Sequence, residues 1–266
     1  MNSSQELVTC QNIYHVLLPL LLNDYRTNTL NTYDSNIHFH ITSYAQYASL
    51  ISHQLLEIFP SDILILPETY SPDVINAPRV WFINPIKGSG NYVAGIPLYF
   101  TTLSLWQHGS AEFTFIIDYF NQVYYWTDIN QSTVISPSNS KLNSNINQNK
   151  ITLDTNLSFE SSSESEKFSQ LIHRLNKEGF HFLKLPDSLG LIYTSLNKYP
   201  SYINPNFSDP ITYFAAIHFL NQNHGQVTNF QDNNWNLTDK TIIASINPQI
   251  HNQLQTIIFP PLQEGG

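Results

Sequence analysis

The chain has 266 residues, 41% apolar and 13% aromatic, which is enough for one large or two small domains around a core and argues against wholesale disorder. Its net charge of −9 disfavours non-specific contact with nucleic acid or an anionic membrane, because both repel an acidic surface. Charged residues are only 12%, so Asn, Ser, Thr and Gln carry much of the surface.

The first element is a helix over Asn12–Tyr25. Cys10 just precedes it and is the only cysteine, so no disulfide can form within the chain and a reducing, cytoplasmic compartment is expected. Val16–Leu22 is apolar but contains Pro19 and has no Lys or Arg before it, which makes it a poor signal peptide. No apolar run approaches the roughly 20 residues that span a bilayer. A second helix follows Ser43 as cap, with Tyr44, Tyr47, Ala48, Ile51, Leu55 and Ile58 at helical spacing and Pro60 as its stop. Ile63–Leu66 and Val80–Ile83 read as central strands. Leu98–Leu105, Glu112–Asp118 and Val123–Trp126 read as a meander, turning at residues 107–110 and 119–121.

Composition then shifts. Residues 128–167 are rich in Ser, Asn, Thr and Gln and read as a polar loop, which places a boundary between an N-terminal half (1–165) and a C-terminal half (166–266). Phe168–Glu178 and Leu189–Asn197 read as helices. Asp209 as N-cap and Pro210 in the first turn start another helix, which runs to about Asn223 with Gly225 as its stop. Val227–Phe230 and Thr241–Ser245 read as strands, and Pro248–Ile258 as a closing helix.

One stretch carries most of the functional information. Trp81-Phe82-Ile83-Asn84-Pro85-Ile86-Lys87-Gly88-Ser89-Gly90-Asn91-Tyr92 is an apolar strand that runs into a Pro-Ile-x-Gly-Ser turn. It resembles the metal motif Asp-Pro-Ile-Asp-Gly-Thr-x-Asn-Phe of the inositol monophosphatase family, with both aspartates replaced. Leu64-Ile65-Leu66-Pro67-Glu68-Thr69 is similar to that family's strand ending in Gly-Glu-Glu. Gly95-Ile96-Pro97, the stretch Ser188–Thr212, Ala215-Ala216, His224-Gly225-Gln226-Val227-Thr228 and Ile243–Pro248 follow in the family's order. The resemblance covers about residues 12–260. It implies an α/β (α+β) fold of the inositol monophosphatase/sugar phosphatase type, a layered α-β-α-β-α sandwich, and by analogy a homodimer.

The resemblance also implies a magnesium cluster that activates water and neutralises phosphate oxygens. Carried over residue by residue, the six carboxylate positions fall on Ala45, Glu68, Thr69, Asn84, Lys87 and Thr212, and the motif threonine falls on Ser89. Only Glu68 is still a carboxylate. Magnesium needs oxygen donors, several of them anionic. An ammonium about 4 Å away repels a dication by about 8 kcal/mol at an effective dielectric of about 20. Lys87 paired with Glu68 would take the metal's place. No catalytic magnesium, and no other cofactor, is therefore expected. The anion side survives: Lys87, Gly88, Ser89 and Gly90 could hold a phosphate or sulfate through backbone N–H groups and one positive charge.

Three readings remain open. The first is a pseudoenzyme that binds a phosphorylated small molecule or a protein. The second is an active magnesium-dependent phosphatase acting on an inositol phosphate, sugar phosphate or nucleotide bisphosphate, with a site rebuilt from Glu68, Asn84, Ser89 and Asp209. The third is a structural subunit with an unused pocket. Other constellations are weaker. His38 and His40 share a strand face but lack a third zinc ligand. His218 and Gln222 share a helix face, and His224 reads as a C-terminal cap. Cys10 has no basic neighbour, and the four tryptophans read as packing.

Overall fold

The computed structural model describes residues 4–27, 42–136, 149–154, 157, 159, 161–185, 188–206, 210–236 and 239–259. In chain order the elements are α1 (Gln5–Thr27), α2 (Thr42–Ile58), β1 (Ile63–Ile65), β2 (Val80–Lys87), α3 (Ser89–Val93), β3 (Phe100–Gln107), β4 (Ser110–Asp118), β5 (Val123–Asp128) and β6 (Gln131–Ser136). There follow β7 (Lys150–Asp154), α4 (Ser162–Lys177), β8 (His181–Leu185), α5 (Leu189–Ser195), β9 (Ser201–Asn204), α6 (Pro210–Gln222), β10 (Gln226–Thr228), β11 (Ile242–Ser245) and α7 (Pro248–Ile258). The chain forms two compact units: Met1–Leu142 with Ile211–Gln222, and Asn143–Pro210 with Asn223–Gly266. The architecture is mixed α/β with two sheets. Among the described residues no helix is long and apolar enough to cross a membrane.

The first unit is built on a six-stranded sheet in the order β1-β2-β3-β4-β5-β6, antiparallel except for β1 beside β2. Side chains alternate across it, so one set meets α1 and α2. On that face Trp81, Ile83, Leu103, Leu105, Phe115 and Ile117 pack with Cys10, Ile13, Leu17, Tyr47, Ile51 and Leu55. The other face meets α6. There Phe82 stacks on Phe214 with ring centroids 3.7 Å apart, and Trp106 meets Phe214 edge-on at 4.8 Å. Helix α6 is buried at every position from Ile211 to Leu220, which explains why it is apolar on all sides. Arg79 ties the edge down, donating to Asp62 and Glu6 at 2.8 Å each, while the Trp81 indole also donates to Asp62 at 2.8 Å.

Helix α1 starts seven residues earlier than the sequence reading and keeps Pro19 inside it. Cys10 is fully buried there, and burial pushes its thiol well above the usual range, so it is inert packing. Helix α2 starts at Thr42, so the expected cap Ser43 lies within it. The β3–β4 hairpin turns on His108 (φ 49°) and Gly109 (φ 80°), the two left-handed residues that a two-residue turn between right-twisted strands requires.

The second unit carries a five-stranded sheet in the order β10-β11-β9-β7-β8. Strand β7 runs parallel to both β8 and β9. Its residues Ile151 and Leu153 pack with Phe168, Leu171 and Leu175 of α4 and with Ile250 and Leu254 of α7. Its other face meets α5 through Thr152. The Thr152 hydroxyl donates to Ser201 O at 3.0 Å and lies 3.3 Å from Gly190 O. The closing helix has the bounds that the sequence reading gives it, with the Asn247 side chain accepting from Ile250 N at 2.9 Å.

The stretch 128–167 corrects the reading of a polar loop. It contains β6 and β7 and the start of α4, while residues 137–148 lie outside the described residues. Strand β7 is short, central and buried from Ile151 to Asp154, so four residues suffice without any periodic run. Helix α4 is capped by Ser161, whose hydroxyl accepts from Glu164 N at 3.2 Å. Asp154, at the end of β7, is the network's centre. Its carboxylate accepts from Ser188 N at 3.0 Å, Ser188 Oγ at 3.2 Å, Tyr202 OH at 3.0 Å and Asn204 Nδ2 at 2.8 Å.

Two histidines are core residues. His218, 2% exposed, lies 2.9 Å through Nδ1 from Thr114 Oγ1, and fully buried His251 lies 3.0 Å through Nε2 from Thr228 Oγ1. Burial pushes both pKa values down to about 4. Both are neutral in the fold, whereas the unfolded chain takes up protons near the ordinary value of about 6.5. Stability is therefore expected to fall as pH drops through 6.5 toward 4, by about 2 kcal/mol per histidine between pH 7 and pH 5. Urea melts over that range test this. A His218→Gln variant should show a shallower decline, and an unchanged slope would contradict the assignment.

Gly190 sits where α5 presses on β7. A Cβ there would lie 2.8 Å from Thr152 Cβ and 3.0 Å from Tyr202 Cδ2. Gly190→Ala is expected to cost about 2–3 kcal/mol in chemical denaturation through overpacking, despite Ala being the better helix former. A neutral or stabilising result would mean that α5 is free to move away.

Candidate functional site

The geometry at the end of β2 follows from one bulge. The β2–β3 register shifts between Asn84, opposite Thr102, and Lys87, opposite Phe100. Pro85 lies in the shift, where its missing N–H breaks no ladder bond. The freed Pro85 carbonyl accepts from the Thr101 hydroxyl at 2.6 Å. Because that hydroxyl's proton is used, Tyr119 OH, 2.7 Å away, is the donor to Thr101 Oγ1. Burial pushes the Tyr119 phenol far above its ordinary value, so it keeps that proton. Gly88 then takes φ 86°, ψ 35°, a left-handed conformation suited to glycine, and the chain enters α3 at Ser89. Asn91 Nδ2 donates to Leu98 O at 2.9 Å and closes the loop behind the turn.

Four segments named from the sequence converge around β2. Tyr44, beside Ala45 at the start of α2, reaches Glu68 Oε2 with its hydroxyl at 3.4 Å. Tyr70, two residues beyond Glu68, has its ring centroid 6.4 Å from Phe82 and 6.1 Å from Phe214. Phe82 leads two residues along β2 to Asn84, and Phe214 leads two residues back along α6 to Thr212. The six positions thus belong to linked segments, but their environments differ. Ala45, Glu68 and Thr69 are exposed. The Thr69 hydroxyl serves its own short 3-10 turn (Pro67–Thr69), accepting from Leu66 N at 2.9 Å. Asn84, Lys87 and Thr212 are buried at 6%, 7% and 0% exposure.

A buried ammonium on the strand end is the electrostatic centre of this region. Lys87, Phe100 and Asp118 form one cross-strand row, so Asp118 shares the sheet face of Lys87 two strands away, about 10 Å between their backbones by strand spacing. That carboxylate accepts from Asn121 N at 3.1 Å and Asn121 Nδ2 at 2.7 Å. Lys87 and Glu68 sum to zero charge, and neutral His218 adds none. Among the described residues, no group of three or more His, Cys, Asp or Glu is placed to hold a metal ion. The donor set at these positions is an amide, two hydroxyls, one exposed carboxylate and an ammonium, which does not fit magnesium.

The α6 face of the sheet also carries a polar seam that the sequence reading missed. Trp106 Nε1 donates to Ser104 Oγ at 2.9 Å. Ser104 Oγ lies 3.0 Å from Thr114 Oγ1, and Thr114 Oγ1 contacts His218 Nδ1. Thr102 Oγ1 and His218 Nε2 are buried there without a hydrogen-bond partner among the described residues. The available signal was the two-residue alternation of Thr102 and Ser104 in β3, facing a helix whose other residues are mostly apolar. His224 is exposed with φ 62°. His38, His40 and Asp209 lie outside the described residues.

Neither protein-family models nor curated proteins yield a match to this chain. Solved structures do. SuhB, an extragenic suppressor protein from Bartonella henselae, superposes with a TM-score of 0.81 at 14% identity, over 97% of this chain and 100% of that one. The IMPase of Thermotoga maritima gives 0.77 at 16% identity, over 96% and 97%. Inositol monophosphatase-II of Staphylococcus aureus gives 0.74 at 14% identity, over 95% and 92%. At such identities the likeness speaks for architecture, and it runs nearly end to end in each pair: the chain has the inositol monophosphatase fold.

Proposed function

We propose that this protein is a pseudoenzyme of the inositol monophosphatase fold, which binds a phosphorylated small molecule without hydrolysing it. The observation that carries this reading is the buried Lys87 ammonium at the end of β2, in a region where Glu68 is the one carboxylate left among the six motif positions. A dication placed there would meet repulsion and too few anionic oxygens. A phosphate monoester would meet a positive charge beside a left-handed glycine turn. Staphylococcal inositol monophosphatase-II has been seen with inositol monophosphate and with 2′-AMP bound, so phosphate esters of this size fit the fold. The expected partner is accordingly a small phosphate ester, bound without magnesium.

Two measurements test this. Phosphate release from inositol monophosphate and 2′-AMP is expected to stay at background with or without magnesium. Binding of the same esters by calorimetry is expected to be independent of magnesium and to weaken about tenfold in Lys87→Met, which keeps the volume and removes the charge. Magnesium-dependent turnover abolished by Glu68→Ala would overturn the reading in favour of an active phosphatase. Absence of binding by any ester would overturn the binding role.

A further inference from the structure

The second unit contains a cavity of about 470 Å³, within the range of small-molecule sites. One wall is α4, where Glu164, Lys167, Phe168, Leu171 and Arg174 recur at spacings of three or four and so share a helix face. The remaining wall comes from Ile258 and Phe259 at the end of α7 and from the segments carrying Phe230 and Lys240. These segments are fixed to each other, because Phe230 N donates to Thr241 Oγ1 at 2.9 Å.

The cavity is divided by chemistry. Its inner surface is apolar: Phe168, Leu171 and Ile258 are buried, and Phe159, Phe230 and Phe259 are half-buried. Among the described lining residues, its exposed rim carries Lys167, Arg174 and Lys240 with one carboxylate, Glu164, a formal charge of +2 (three cations less one anion). The whole chain has only 11 Lys and Arg and a net charge of −9. A local excess of positive charge over a phenylalanine-lined hollow is therefore a departure from the rest of the surface. Apolar walls reward burial of a hydrophobic body, and the rim rewards an anionic head that stays near water.

We propose that this cavity binds a small amphipathic anion, its ring-sized apolar body against the phenylalanines and its carboxylate, sulfonate or phosphate head at Lys167, Arg174 and Lys240. The site lies within the second unit and is independent of the reading given to Lys87.

A matched pair of dyes tests it on the full-length protein. Anilinonaphthalene sulfonate and N-phenyl-1-naphthylamine share an aromatic body and differ in the sulfonate. Fluorescence titration and calorimetry are expected to show one saturable sulfonate-dye site per chain. Lys167→Glu and Arg174→Glu change exposed residues and should leave circular dichroism unaltered. Each is expected to weaken the sulfonate dye about tenfold and the neutral dye less than about threefold. Gln231→Trp, which fills part of the cavity from its lining, should weaken both. The proposal is overturned by the absence of saturable binding, by equal effects of charge reversal on the two dyes, or by binding that Gln231→Trp leaves unchanged.

Discussion

Burial of β2 on both faces is the constraint from which the rest of the first unit follows. All eight residues from Val80 to Lys87 are buried. Trp81 and Ile83 feed the core under α1 and α2, and Phe82 stacks on Phe214 of α6. A strand held this way cannot shift by one residue without exchanging its two faces. Its end is therefore delivered to a fixed place, and the bulge at Pro85 reorients it there. The Tyr119–Thr101–Pro85 hydrogen-bond chain stabilises that bulge from beneath. None of these supports uses a carboxylate from the six motif positions.

That separation of frame from charge leaves the turn's geometry independent of what the side chains at its positions carry. Asn84 and Lys87 occupy positions set by the ladder opposite Thr102 and Phe100, whatever their side chains carry. A buried charge is costly unless it is matched. The row that runs from Lys87 through Phe100 to Asp118 places opposite charges on one sheet face, and the seam from Trp106 to His218 supplies neutral polar groups beside it.

Much of this was legible in the sequence, and the exceptions have physical causes. Helix α7 was readable because Asn247 and Pro248 mark its start and its apolar spacing runs its full length. The turn Gly88-Ser89 was readable because glycine and a following helix start form a local signal. Strand β2 reads four residues short, because Pro85 looks like a stop, and only pairing with β3 shows that it sits in a bulge. Strands β8 and β9 were missed since five and four residues are too few to show a period. Strand β7 was hidden in a polar stretch, and its Asp154 with it. That carboxylate became significant only when Ser188, Tyr202 and Asn204, far away in sequence, were brought to it.

Asp154 and Lys87 are buried charges in different local settings. Asp154 is surrounded by three donor residues from two later segments, and the bonds it accepts fix both: the start of α5 through Ser188, and β9 through Tyr202 and Asn204. Its charge is spent on assembling the second unit, and a ligand would have to displace several of those bonds to reach it. Lys87 stands at the end of its strand, immediately before a glycine turn, where the ladder closes and the backbone changes direction. The bulge and turn around it are held by Thr101, Tyr119 and Asn91. Those hydrogen bonds join neutral groups, so the backbone course at the end of β2 is set by the bulge, the left-handed glycine and the ladder opposite β3.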